Sequence, residues 1–369
     1  MFIYEREHSK EELMRRVGNI AQLGGIELLR HEEGHARGLR AIVIRTGSGL
    51  AFSVLPDRGM DVGLAEFAGA GLCWLPPKGL AGPWHYEGDL DPYAWLRVGL
   101  GGLFNTAGLV SIGVPQEIDT SSFGFTQRMT ARYGTHDRIA VTPASRFSFD
   151  EVWDDGRLLL RVDGVVRQDV AYGENLSLRR SYETELGSNT VRLTDTVTNE
   201  GWYETPHQLL YHFNLGYPLV DDGAELLMSV DEEPSPLDYS TDGESGGDWR
   251  MVTPPQPGFT FEGYVLRPKA GVDGRIRLAL VNRALRGGIG FYLSYEHRQL
   301  PTYLAWHMMR EGLYAIGLEP ATNPFGNPTE LVAEGYPVML PPRESRRYDL
   351  EFGVLVGAEE IDEFAEALP

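Results

Sequence analysis

From Gly25 to Tyr295 the chain is written as short aliphatic and aromatic runs, each broken by Gly, Pro or charge, and this punctuation constrains the fold more than any other feature. Gly25 to His31, Leu39 to Arg45 and Leu50 to Leu55 read as a meander of strands. The pattern returns at Phe147 to Phe149, Leu158 to Val162, Val165 to Val170, Leu176 to Tyr182 and Val191 to Val197, and again at Val265, Ile276 to Val281 and Ile289 to Tyr295. Strands at roughly ten-residue spacing, with turn residues between them, build a sandwich or barrel. No stretch alternates strands with long helical periods, as a parallel α/β sheet would. The 44 Gly and 23 Pro supply the turns that so many strands need.

One short helix is predicted. Ser9-Lys10-Glu11-Glu12 is a capping box ahead of Leu13 to Val17, in which the Ser hydroxyl and the Glu carboxylate satisfy each other's free backbone N–H groups. The expected fold is therefore all-β, with an N-terminal helical extension over 1–23 and a single domain over 24–369. Residues 221–258, rich in Asp, Glu, Ser, Gly and Pro, are expected to leave that domain as a surface insertion.

Charge and cysteine content narrow the function. With 53 acidic against 33 basic residues the net charge is −20, which repels polyanions and excludes nucleic acid and anionic membrane surfaces as expected partners. A neutral or cationic small molecule is easier to admit. The single cysteine, Cys73, rules out an intrachain disulfide framework and a cysteine-based zinc site, which suits a cytoplasmic protein. The acidic start has no apolar core of a secretory signal. The longest uncharged run, Val98 to Gln116, is interrupted by Gly, Asn and Pro and reads as buried strand and loop, not as a membrane span.

Candidate functional residues lie in six segments. Leu55-Pro-Asp-Arg-Gly-Met-Asp61 reads either as a turn with Gly59 at positive φ or as a platform from which Arg58 offers directional donors to a sugar hydroxyl. Gly101-Gly-Leu-Phe-Asn-Thr106 has neither the Lys of a Walker loop nor a βαβ setting, so its glycines point to close backbone approach, while Asn105 and Thr106 are candidates to line a cavity. In Thr135-His-Asp-Arg138, the charged neighbours Asp137 and Arg138 are placed to orient His136 or bind a hydroxyl. Asn199 to Gly201 reads as a hairpin turn into a strand from about Thr205, on which His212 shares a face with Gln208, Leu210 and Asn214 while His207 faces away. Glu319 ends a strongly apolar strand, where burial would raise its pKa and make it a usable base. Trp306 reads as core packing or as a platform for a sugar face.

Taken in order, Leu-Pro-Asp-Arg-Gly-Met-Asp, Gly-Gly-Leu-Phe, Thr-His-Asp-Arg-Ile, Leu-Tyr-His-Phe-Asn-Leu-Gly-Tyr-Pro and Gly-Leu-Glu-Pro-Ala-Thr-Asn resemble the galactose mutarotase-like (aldose 1-epimerase) superfamily, and within it the DUF4432 branch. The resemblance implies a β-supersandwich with a sugar held in a cleft on one sheet. It implies interconversion of sugar anomers without metal or cofactor, with His212 as general acid, Glu319 as general base and His136 holding the substrate. Arg58, Asn105, Arg138 and Asn214 are the further candidates for binding hydroxyls, with Trp306 as the stacking face. A Glu and a His on opposite sides of the sugar suit the exchange, since each can be tuned toward neutral pH.

Other readings stay open at this point. The same acid and base could serve an isomerase or epimerase acting at another sugar carbon. A metal-dependent version would use His136, His212 and Glu319 as ligands, although no His-x-His or His-x-x-x-His pair supports it. A non-catalytic carbohydrate-binding protein is a third reading. A glycosidase would need a second conspicuous carboxylate. The sequence leaves a homodimer open.

Overall fold

The computed structural model describes all residues except 5, 122–129, 233 and 237–247, and of 235–236 only the backbone. Its architecture is two large antiparallel sheets packed face to face. The first has eight strands, in spatial order Ala144–Asp154, Arg157–Asp169, Asn175–Glu185, Thr190–Asn199, Ser345–Val356, Ile289–Glu296, Arg275–Asn282 and Glu225–Met228. The second has eleven. At its centre Gln208–Gly216 lies between Phe104–Leu109 and Leu313–Ala321, and Thr302–Arg310 pairs with the outer side of Leu313–Ala321.

Alternation along Gln208–Gly216 separates core from site. Odd positions face the other sheet: Phe213 stacks on Phe104 with ring centroids 5.0 Å apart and meets Phe352 at 5.7 Å and Phe291 at 5.8 Å. Even positions, His212 among them, face away from that core. His207 turns inward, as its parity predicts. Its Nδ1–H donates to the Leu109 carbonyl (3.0 Å) and Nε2 accepts from the Tyr348 hydroxyl (2.9 Å), and burial pushes its pKa down to about 4.

A buried ionic spine joins the sheets behind the central strand. Arg180 holds Asp195 with two parallel hydrogen bonds (2.9 and 2.6 Å) within the eight-stranded sheet, then reaches Asp61 (2.8 Å), the Thr106 hydroxyl (2.8 Å) and the Gly59 carbonyl (3.1 Å) on the larger one. The Tyr211 hydroxyl donates to Asp195 at 2.8 Å. All three charged side chains are fully buried.

The sequence reading needs four corrections. Thr190–Asn199 and Gln208–Gly216 do not form a hairpin, because they belong to different sheets. Asn199 turns the chain between them, its Nδ2 donating to the Tyr203 and Leu340 carbonyls and its Oδ1 accepting from Gly201, while Thr205–Pro206 pairs with Met339–Leu340. The runs Leu158 to Val162 and Val165 to Val170 are one strand, Arg157–Asp169. The insertion expected at 221–258 is in part structural: Glu225–Met228 is a strand of the eight-stranded sheet and Trp249 and Val252 enter the core, while 237–247 lie outside the described residues. A C-terminal helix, Gly357–Glu366, was not anticipated, and it buries Ile361 against the eight-stranded sheet.

The N-terminal helix, Lys10–Met14, carries the expected reciprocal Ser9 and Glu12 bonds. Its Leu13, with Ile3, is buried in the main core. No helix among the described residues is long and apolar enough to cross a membrane.

Candidate active site

His212 and Glu319 are neighbours because of register. Phe213 pairs with Leu318 and Leu210 with Ala321, so His212 and Glu319 occupy directly opposed positions of adjacent antiparallel strands and point to the same face. Nε2 of His212 lies 3.3 Å from Oε1 of Glu319, without the alignment of a hydrogen bond, so that oxygen and Nδ1 of His212 remain unpartnered among the described residues. The two stand side by side, rather than across a sugar ring from each other.

Glycine makes room for this. A Cβ at Gly317 would fall 2.6 Å from Oε1 of Glu319 and 3.1 Å from Cβ of Trp306, so the carboxyl group occupies space that any other residue there would fill.

Both groups border a cavity of about 520 Å³, within the usual range for small-molecule sites. Burial pushes the Glu319 carboxyl up to about 8 and the His212 imidazole down to about 4. At neutral pH Glu319 therefore keeps its proton and His212 is a neutral imidazole.

His136 joins them from a loop in which it and Asp137 take positive φ. Its Nδ1 accepts from the Gly113 N–H (3.2 Å), which leaves the proton on Nε2. The ring sits 5.8 Å from His212 and 4.6 Å from Trp95 between centroids, and burial, then His212, drives its pKa down to about 3. Its charged neighbours hold the loop instead of the imidazole. Asp137 accepts from the Val110 N–H and from Gln168, and Arg138 pairs with the buried Glu174.

Trp306 lies on the cavity wall, edge-on to Trp74 at 5.9 Å and 5.8 Å from His212. Arg58, Asn105 and Asn214 do not line the cavity; all three are fully buried around one glycine-rich turn. Arg58 donates to the Gly99 carbonyl and, at 3.5 Å, to that of Gly101. Asn105 accepts from the Gly101 N–H (3.0 Å), and Asn214 donates to the Gly102 carbonyl (3.1 Å) and to Asn105 (3.0 Å). Gly102 itself needs the close approach expected of it, since a Cβ there would meet the Val62 carbonyl at 2.8 Å. The Arg58 motif is likewise a turn, with Gly59 at φ 60°. These polar residues thus support the turn that presents Leu100 to the cavity.

Sequence reasoning missed Trp74, Trp95, Thr135 and Phe325 on the wall. Trp95, on the short helix Ala94–Val98, is buried with its indole N–H unpartnered among the described residues, as is the Thr135 hydroxyl. Nothing in a single sequence separates such residues from ordinary core. Among the described residues no three His, Cys, Asp or Glu side chains are grouped to hold a metal ion.

The family model of the "Domain of unknown function (DUF4432)" matches residues 36–354. The chain belongs to the DUF4432 family. No curated protein matches it. Among solved structures, this DUF4432 protein is similar to one from Klebsiella pneumoniae subsp. pneumoniae MGH 78578, provisionally described as an aldose 1-epimerase, at TM-score 0.81 and 24% identity over 92% of this chain and 86% of that one. It is also similar to a galactose mutarotase-like protein from Clostridium acetobutylicum (TM-score 0.60, 15% identity, 90% of this chain and 99% of that one). Galactose 1-epimerase from Lactobacillus acidophilus NCFM gives TM-score 0.54 at 15% identity, over 90% of this chain and 99% of that one. The DUF4432 chain therefore has the galactose mutarotase-like fold that its motifs led us to expect.

Proposed function

We propose that this DUF4432 protein interconverts the anomers of a reducing sugar, with His212 and Glu319 exchanging protons with the anomeric hydroxyl and the ring oxygen. The observation that carries this reading is the buried pair itself: a carboxyl group and an imidazole 3.3 Å apart, facing a cavity. The names of the structural neighbours, a galactose 1-epimerase among them, point the same way.

The chemistry needs one acid and one base close together, because the anomeric and ring oxygens are bonded to the same carbon. The base takes the proton of the C1 hydroxyl, the O–H electrons form the C1 carbonyl, and the C1–ring oxygen bond breaks. The ring oxygen keeps that electron pair and accepts a proton from the acid. After rotation about C1–C2 the carbonyl presents its other face. The group beside the ring oxygen now takes a proton back while the other returns one to C1 oxygen, so each residue serves in both roles within a cycle. With these pKa values Glu319 starts as the acid and His212 as the base, the reverse of the roles that the family resemblance suggests. In this reading His136, on the cavity wall with its proton on Nε2, donates to a neighbouring sugar oxygen.

Exchange between anomers, followed by NMR for a panel of reducing sugars, tests the proposal. At least one sugar should interconvert faster with the protein than in buffer, and the reading fails if none does. Across pH, kcat/KM should rise through about 4, where the imidazolium of His212 loses a proton and becomes a base, and fall through about 8, where Glu319 loses its proton and ceases to be an acid. A rate that is flat from pH 4 to 9 would remove this pair from the mechanism.

Gly317→Ala should displace the carboxyl group and lower turnover by roughly 10-fold to 100-fold, since small displacements of a reacting group are that costly. Comparing kcat for the parent and the variant, with circular dichroism as the control for folding, checks this. Unchanged kcat would mean that Glu319 does not need its observed position.

A further inference from the structure

The cavity is poorly matched to an unsubstituted sugar. Among the described residues Glu319 is the one carboxyl group on its wall, and no Arg, Lys, Asp, Asn, Gln or Ser lines it. Side-chain hydrogen bonding falls to Tyr93, Thr135, His136, the His212–Glu319 pair and indole N–H groups such as that of Trp95. The rest is apolar: Trp74 meets Trp306 edge-on, Leu100 packs in the same cluster, and Leu96, 48% exposed, adds to the wall.

A free aldohexose carries a hydroxyl at nearly every carbon. Any of these pressed against indole or leucine loses its water without gaining a partner, which weakens binding. The volume, about 520 Å³, belongs with sites that take ligands larger than a single pyranose ring.

We propose that the substrate is a reducing sugar bearing an apolar substituent, acyl, alkyl or aryl, on a carbon other than C1, with that substituent packed among Trp74, Trp306, Leu96 and Leu100. The claim rests on the proposed anomer chemistry for the C1 end of the ligand. The apolar wall then decides which sugars are accepted, and simple hexoses are poor ligands.

The test uses glucose and galactose together with their mono-O-benzyl ethers at each non-anomeric position. Binding is read from quenching of tryptophan fluorescence and turnover from anomer exchange by NMR. At least one ether should bind about 10-fold to 100-fold more tightly than its parent sugar, in the range by which apolar pockets discriminate. That preference should shrink in Trp306→Ala and in Leu96→Asn. The second variant alters a side chain that is 48% exposed, so it tests the wall without threatening the fold. The proposal is overturned if no ether binds more tightly than its parent, or if the preference survives both substitutions. If the ethers bind with the expected preference but none exchanges anomers faster than in buffer, the ligand class stands and the catalytic reading falls.

Discussion

Glu319→Gln is expected to lower the catalysed rate of anomer exchange by about 10²-fold to 10⁴-fold, the usual worth of a positioned acid or base. The amide keeps the shape of the carboxyl group and can neither take nor give the proton, so the loss should appear in kcat, with ligand binding little changed. His212→Asn should act similarly, and the two losses should not add, because either variant leaves the pair unable to complete the exchange.

Stability provides the control. The carboxyl of Glu319 keeps its proton to about 8 in the folded chain, whereas an exposed glutamate loses it near 4.5. Its contribution is therefore fully present at low pH and is lost as pH rises through 8, so the Gln variant should be more stable than the parent in alkaline solution. Urea midpoints measured at pH 6 and pH 9 read this directly. A Gln variant that stays active would end the acid–base proposal, and one that is inactive only because it unfolds would show a lower midpoint at both pH values.

The second large effect is on folding. Arg180→Met should destabilise the protein by about 3–5 kcal/mol, because it strands the carboxylates of Asp61 and Asp195 in the core without their cation. That is a large part of the roughly 5–15 kcal/mol that separates most folded domains from their unfolded chains. Urea denaturation of the parent and variant checks it, and a change below about 1 kcal/mol would contradict the structure of the spine. Restoring neutrality with Asp61→Asn and Asp195→Asn in the same chain should recover part of the loss.

Much of this was legible in the sequence, and what was not has a common physical cause. Period-two alternation located most strands of both sheets and assigned His212 and His207 to opposite faces, since that pattern is local. The capping box at Ser9 was readable for the same reason. Sheet membership was not, because Asn199-x-Gly201 can close a hairpin or turn a corner between sheets, and distant partners such as Leu340 decide which. The polar candidates Arg58, Asn105 and Asn214 looked like hydroxyl donors because residue type records bonding capacity and not direction. Here each of the three makes a hydrogen bond to the backbone of residues 99–102, and none lines the cavity. The aromatic wall was invisible for the converse reason, as buried tryptophan looks the same whether it faces core or cavity.

The place of Ser345–Val356 bears on how such a chain is made. That segment comes late in the sequence yet lies in the interior of the eight-stranded sheet, paired on one side with Thr190–Asn199 and on the other with Ile289–Glu296. Until it leaves the ribosome, two strands that were synthesised much earlier wait with open edges, and unpaired edges of that kind invite association between nascent chains. A premature stop near residue 344 would remove this strand and leave the eight-stranded sheet as two unjoined pieces.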